Sequence, residues 1–195
     1  MLNFYDVKEP YAAYLRKFER RIPNIHYASN NKFVCGIVLS IHGCNYFAPI
    51  SSNTAKQRTS LLILDERGKA ISSIKFSFMF PIPETEVVRK DFAAIRAENP
   101  HYADVLTKEY QFCRRNEERI LQKAQQVYAI GCNRSHGLAE NCCDFLMLED
   151  KCAEWREQAA LVNGMIGHAA IYPTPKTPQN YITSYTILPH SDQKI

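Results

Sequence analysis

No apolar run in the 195-residue chain approaches the ~18 residues that a membrane span requires. Its opening, Met1-Leu2-Asn3-Phe4-Tyr5-Asp6, lacks the basic segment and apolar core of a secretory leader. A soluble cytoplasmic protein is therefore expected, with no membrane partner. Cysteine is not paired off either. Seven thiols, at 35, 44, 113, 132, 142, 143 and 152, are an odd number, and without a secretion signal they read as reduced residues rather than a disulfide framework. The cluster Cys132, His136, Cys142, Cys143 and Cys152 matches no zinc-finger or ribbon spacing, so neither a metal nor a cofactor is expected. Internal repeats are also lacking. What is present is an ordinary globular composition, 46% hydrophobic and 23% charged, at a length that suits one domain.

The net charge of +4 conceals a polarity. Residues 1–80 carry 11 Lys and Arg against 5 Asp and Glu, whereas residues 81–160 carry 11 against 14. A positive field confined to the N-terminal half suits a polyanion, because each neutralised phosphate releases counterions. The same balance also fits a mildly basic surface with no such partner.

Patterning predicts a short strand over Asn3 to Val7, then a helix opened by Glu9-Pro10 and running from Tyr11 to Arg21, with Tyr11, Tyr14, Leu15 and Phe18 at helical spacing. Strands are expected over Phe33 to Ile41, Tyr46 to Ile50, Leu61 to Leu64 and Ile71 to Phe80, with a last short one at Val87-Val88. A short helix at Asp91 to Ala97, a long one from Asn99-Pro100 to Ile130 and another over Cys143 to Gln158 follow. Strands first and helices after argue for an α+β fold, a small antiparallel, partly open barrel decorated with helices. Residues 1–159 form the expected domain. The Pro-rich 160–195 read as a weakly ordered extension in which Tyr181 to Leu188 is a candidate strand.

Three segments can carry chemistry. The loop Pro49 to Arg58 brings Ser51, Ser52, Asn53, Thr54, Lys56 and Arg58 together, donors and cations suited to phosphate oxygens. On composition alone it is equally a solvated hairpin. Tyr11 and Tyr14 carry polar tips, though core aromatics do too. The stretch from Asn24 to Lys32 interleaves His26 and Tyr27 with Asn30, Asn31 and Lys32, the mixture that stacks on and reads unpaired bases, or else a polar loop. His42 falls at a strand end, where a structural role is expected.

In order along the chain, Asn3-Phe4-Tyr5, Tyr11-Ala12-Ala13-Tyr14-Leu15, Ile22-Pro23-Asn24 and Gly36-Ile37-Val38-Leu39 are followed by Tyr46-Phe47-Ala48-Pro49-Ile50-Ser51-Ser52, Ile74 to Pro83 and Tyr110-Gln111-Phe112. Together they resemble the ToxN/AbiQ family, most closely its CptN-type members, over residues 2–157. The resemblance implies a barrel like that of the MazF and Kid toxins. It also implies metal-independent cleavage of A-rich cellular or phage mRNA, inhibition by a repeated antitoxin RNA processed into pseudoknots, and closed toxin–RNA assemblies. It places the essential serine on Ser52, next to Ser51, with Tyr11, Tyr27 and Lys32 at other active-site positions. His26, Asn31, Thr54, Lys56 and Arg58 are the accompanying RNA-binding candidates. The chain departs from the family where Pro and Lys usually follow the serine: Asn53 and Thr54 stand there, so either Lys56 takes the role or Thr54 and Lys32 share it. A non-catalytic RNA-binding module is the alternative.

Overall fold

Apolar alternation, interrupted by turn residues, builds the sheet. The strands are β1 (Asn3–Val7), β2 (Val34–Ile41), β3 (Cys44–Ser51), β4 (Ser60–Leu64), β5 (Ala70–Lys75), β6 (Phe80–Pro81) and β7 (Val87–Arg89). The helices are α1 (Glu9–Arg16), α2 (Phe92–Glu98), α3 (Pro100–Arg115), α4 (Glu117–Cys132) and α5 (Phe145–Val162). This computed structural model describes residues 2–24 and 33–162. The expected extension beyond α5, including Tyr181 to Leu188, lies outside the described residues.

All pairings are antiparallel, in the order β4-β5-β3-β2-β1-β7, with β6 added to β3. The α+β expectation holds. The described strands form an open antiparallel path with β4 and β7 at opposite ends. Phe4, Cys35 and Ala48 lie in register across β1, β2 and β3, on the face that carries Tyr46. Helices cover that face: Phe4 meets Phe92 of α2 and Tyr110 of α3, while Tyr46 meets Tyr128 of α4 and Phe145 of α5. On the other face Gly36 lies under the Phe47 ring, and a Cβ there would stand 2.0 Å from a ring carbon. The β2–β3 hairpin turns through His42 and Gly43, both at positive φ, as a two-residue turn between twisted strands needs.

Three expected elements end early, each for a local reason. Helix α1 stops at Arg16 rather than Arg21, because Phe18 and Glu19 both bond back to Leu15 in a tight turn that leaves Phe18 45% exposed and buries Ile22. The buried Glu19 then accepts the Asp144 N–H at 3.1 Å and pins this turn to the start of α5. The long helix divides at Asn116, where Arg114-Arg115 at one C-terminus and Glu117-Glu118 at the next N-terminus each complement a helix dipole. The strand expected to reach Phe80 breaks after Lys75. Ile50 faces Ile74 but Phe47 faces Phe80, so three residues of β3 span six of the partner, and Phe76–Phe78 loop out as a 3-10 turn. That turn keeps Phe76 and Phe80 in the core and turns Phe78 toward a groove.

Candidate functional site

The groove begins where β3 ends. Pairing of Ser51 with Ser73, and the two-residue period of β5, place Ser51, Ser73 and Lys75 on one face, with Ile74 turned into the core. The loop after Ser51 is held over them: Asn53 N–H donates to Ser51 Oγ at 3.3 Å, and Ser73 Oγ–H donates to the Asn53 carbonyl at 2.5 Å. Asn53 Oδ1 accepts the Ala55 N–H at 2.8 Å, an Asx turn that fixes the loop's direction. Under it lies a cleft of about 150 Å³ lined by Pro23, Pro49, Ile50, Ser51, Asn53, Gln57, Lys75 and Phe78. A second hollow of about 310 Å³ shares Gln57 and Phe78 and continues past Arg58, Thr59 and Ser77 to Leu138 and Asn141. Among the described residues, the lining of both carries hydroxyls, amides, one ring and two cations, and no carboxylate.

Lys75 is the unusual group. It is 5% exposed, makes no ion pair among the described residues, and donates from Nζ to Gln57 Oε1 at 3.1 Å. Desolvation pulls its pKa below the usual lysine value. Its ammonium lines the cleft with one neutral acceptor and no acidic partner among the described residues, an arrangement that core packing does not require. Together with Gln57, Phe78, Ser77 and Asn141, it was missed by sequence reading. The available signal was one lysine in an otherwise uncharged strand, in phase with Ser73.

Of the expected residues, Ser51 lines the cleft, half-buried, and Ser52 is exposed between two lining residues. Arg58 lines the second hollow, while Thr54 and Lys56 are exposed on the loop and line neither part. Tyr27, Lys32, His26 and Asn31 lie outside the described residues. Of the described residues that flank that segment, Pro23 lines the cleft and the Phe33 carbonyl accepts the N–H of Ile50, a lining residue, at 3.3 Å. Tyr11 lies away from both hollows. It is wholly buried, its hydroxyl donates to the Pro81 carbonyl at 2.7 Å and its ring meets Trp155 edge-on, so it joins α1 to β6 and α5 and does not line the groove. Burial first, then Cys152, raises its pKa, which keeps the phenol protonated. Tyr14, also outside the groove, donates to Glu154 at 3.1 Å.

His42 lies away from the groove. Its Nδ1 sits 3.1 Å from Glu149 Oε2, and Glu149 Oε1 accepts the hydroxyls of Tyr46 and Tyr128 at 2.7 Å each, a network that ties the β2–β3 turn to α4 and α5. All seven cysteines are free thiols. Among the described residues no group of three or more His, Cys, Asp or Glu side chains is placed to hold a metal ion, and no helix is long and apolar enough to cross a membrane.

A groove whose described lining holds two cations and no carboxylate, on an α+β scaffold, is a surface suited to a polyanion. Residues 3–153 match the model of the family described as toxin ToxN of type III toxin–antitoxin systems. The chain is 30% identical to the endoribonuclease ToxN of Bacillus thuringiensis subsp. kurstaki over 165 residues, 80% of this chain and 85% of that protein. It is also 30% identical to the endoribonuclease ToxN of Pectobacterium atrosepticum over 169 residues, 81% of this chain and 96% of the other. A solved structure of a type III toxin–antitoxin system, reporting selective toxin inhibition by a non-coding RNA pseudoknot, superposes with a TM-score of 0.74 at 30% identity, covering 80% of this chain and 98% of that one. The chain belongs to the ToxN family of type III toxin–antitoxin toxins.

Proposed function

We propose that the protein is an endoribonuclease toxin that cuts A-rich RNA in the cytoplasm without a metal ion. The observation that carries this reading is the groove beside Ser51 and Ser52, whose described lining is rich in hydrogen-bond donors and free of carboxylates. The oxygen of the substrate's 2′-hydroxyl bonds to the adjacent phosphorus as its proton leaves, and the P–O5′ bond breaks. The 5′-oxygen takes up a proton, leaving a 2′,3′-cyclic phosphate and a 5′-hydroxyl. The protein's part is to align that attack and to offset charge on the non-bridging oxygens. Ser51 supplies a donor from the groove and Ser52 one from the adjoining loop, and Lys32 and Tyr27 complete the centre. His26, Asn31, Thr54, Lys56 and Arg58 hold flanking nucleotides. By analogy with the relative inhibited by a pseudoknot, a processed pseudoknot RNA occupies the same groove and closes toxin and RNA into an assembly that keeps cellular or phage mRNA out.

The test is incubation of purified protein with A-rich RNA in EDTA, followed by end-group analysis. Fragments with 5′-hydroxyl and cyclic phosphate ends, suppressed by antitoxin repeat RNA, are expected. Binding without cleavage, with or without added magnesium, would instead make the chain a non-catalytic RNA-binding module.

A further inference from the structure

We propose that Lys75 is the phosphate-binding cation of the cleft, its ammonium taking a non-bridging oxygen of the RNA phosphate seated beside Ser51. This inference rests on the RNA-cleaving reading above. Three observations carry it. Ser51 and Lys75 project from adjacent strands onto the same face and line the same cleft. Among the described residues, none that lines either part of the groove is acidic, so none of them offers the ammonium a counter-ion there. One of its three protons is spent on Gln57 Oε1, a neutral acceptor that aims the head group and leaves two for an anion. The cation is partly desolvated in the cleft wall, so a phosphate oxygen meets it with less hydration water to displace. Its depressed basicity has the same origin, and an arriving phosphate would reverse that shift. Lys75 thus does from the floor of the cleft what loop cations such as Lys56, exposed to water, do weakly.

The opposing view makes Lys75 a brace that holds the loop through Gln57. The two views differ in three readouts on Lys75→Met, which keeps the stem and removes the charge. As a phosphate ligand, Lys75 contributes to the salt dependence of binding. For a 2′-O-methylated oligoadenylate, which cannot be cleaved, the slope of log K against log salt should fall by about 0.7. Single-turnover cleavage of the unmodified RNA should fall on the order of 10²-fold. The melting temperature should hold or rise, since an unpaired buried charge has gone, whereas loss of a brace would lower it. Gln57→Glu is the second variant, useful if the first does not fold. It gives the ammonium an internal partner and should weaken the same binding and flatten the same slope, while strengthening any brace. A wild-type slope in either folded variant overturns the assignment of Lys75 while leaving RNA cleavage by the wild-type protein in place. Wild-type protein that neither binds nor cuts the RNA overturns both.

Discussion

Replacing Tyr11 by Phe separates catalysis from architecture. The change deletes one hydroxyl, which is wholly buried and donates to the Pro81 carbonyl at 2.7 Å, and leaves the ring against Trp155. A neutral hydrogen bond contributes about 0.5–1.5 kcal/mol net, and a buried carbonyl left unpaired costs about 1–3 kcal/mol. For a chain of this size each kcal/mol moves the midpoint by roughly 2–4 °C. Tyr11→Phe should therefore melt a few degrees lower. Below that transition it should cut RNA at nearly the wild-type rate per folded molecule. Loss of a general acid or base would instead cost about 10²–10⁴ in rate. Single-turnover cleavage at saturating enzyme, beside a thermal melt of the same preparation, decides between them. A drop of a hundredfold or more in Tyr11→Phe, with the melt unchanged, would refute the architectural reading. Tyr11→Ala is uninformative, since truncating a buried aromatic costs about 3–5 kcal/mol and removes activity through the fold.

Gly36→Ala should destabilise the protein by about 1–3 kcal/mol or more in a denaturant titration, because its Cβ would meet the Phe47 ring; a wild-type midpoint would contradict that contact. Glu109 is buried, and desolvation raises its carboxyl above the usual 4.5. Between 4.5 and that raised value the folded state keeps a proton the unfolded state releases, so stability falls as pH rises through the window. Glu109→Gln should flatten that part of the stability profile, and an unchanged profile counts against the burial argument. No cysteine lines the groove and all seven are free, so cleavage rates with and without reductant should agree. A large loss on removing the thiol reagent would show that one of them matters.

Periodicity located nearly every strand and helix, because burial of alternate or every third and fourth residue is what makes those elements. Their ends were less legible, being set by contacts distant in sequence. Glu19 turns inward to meet Asp144 N–H, and the 3-10 turn at Phe76–Phe78 bonds through the Ser77 carbonyl to Cys143 N–H at 2.8 Å. The division at Asn116 had a local sign, basic residues before it and acidic ones after, which apolar spacing alone overlooked. Ser51 and Ser52 were legible as hydroxyls in a polar loop. Lys75 was not, since its meaning comes from Ser51 on the neighbouring strand and from the absence of acids around the groove. Tyr11 shows a further limit: matching a family position does not say which way a side chain faces, and here it faces the core.

The central claim is that the groove at Ser51 and Ser52 cuts RNA. Single-turnover cleavage by Ser52→Ala, with its affinity for antitoxin repeat RNA and its melt measured on the same sample, tests it most directly. Ser52 is exposed, so fold and binding should stay close to wild type while the rate falls on the order of 10²–10³-fold. A Ser52→Ala protein that cuts RNA at the wild-type rate contradicts the account and moves the chemistry elsewhere on the molecule.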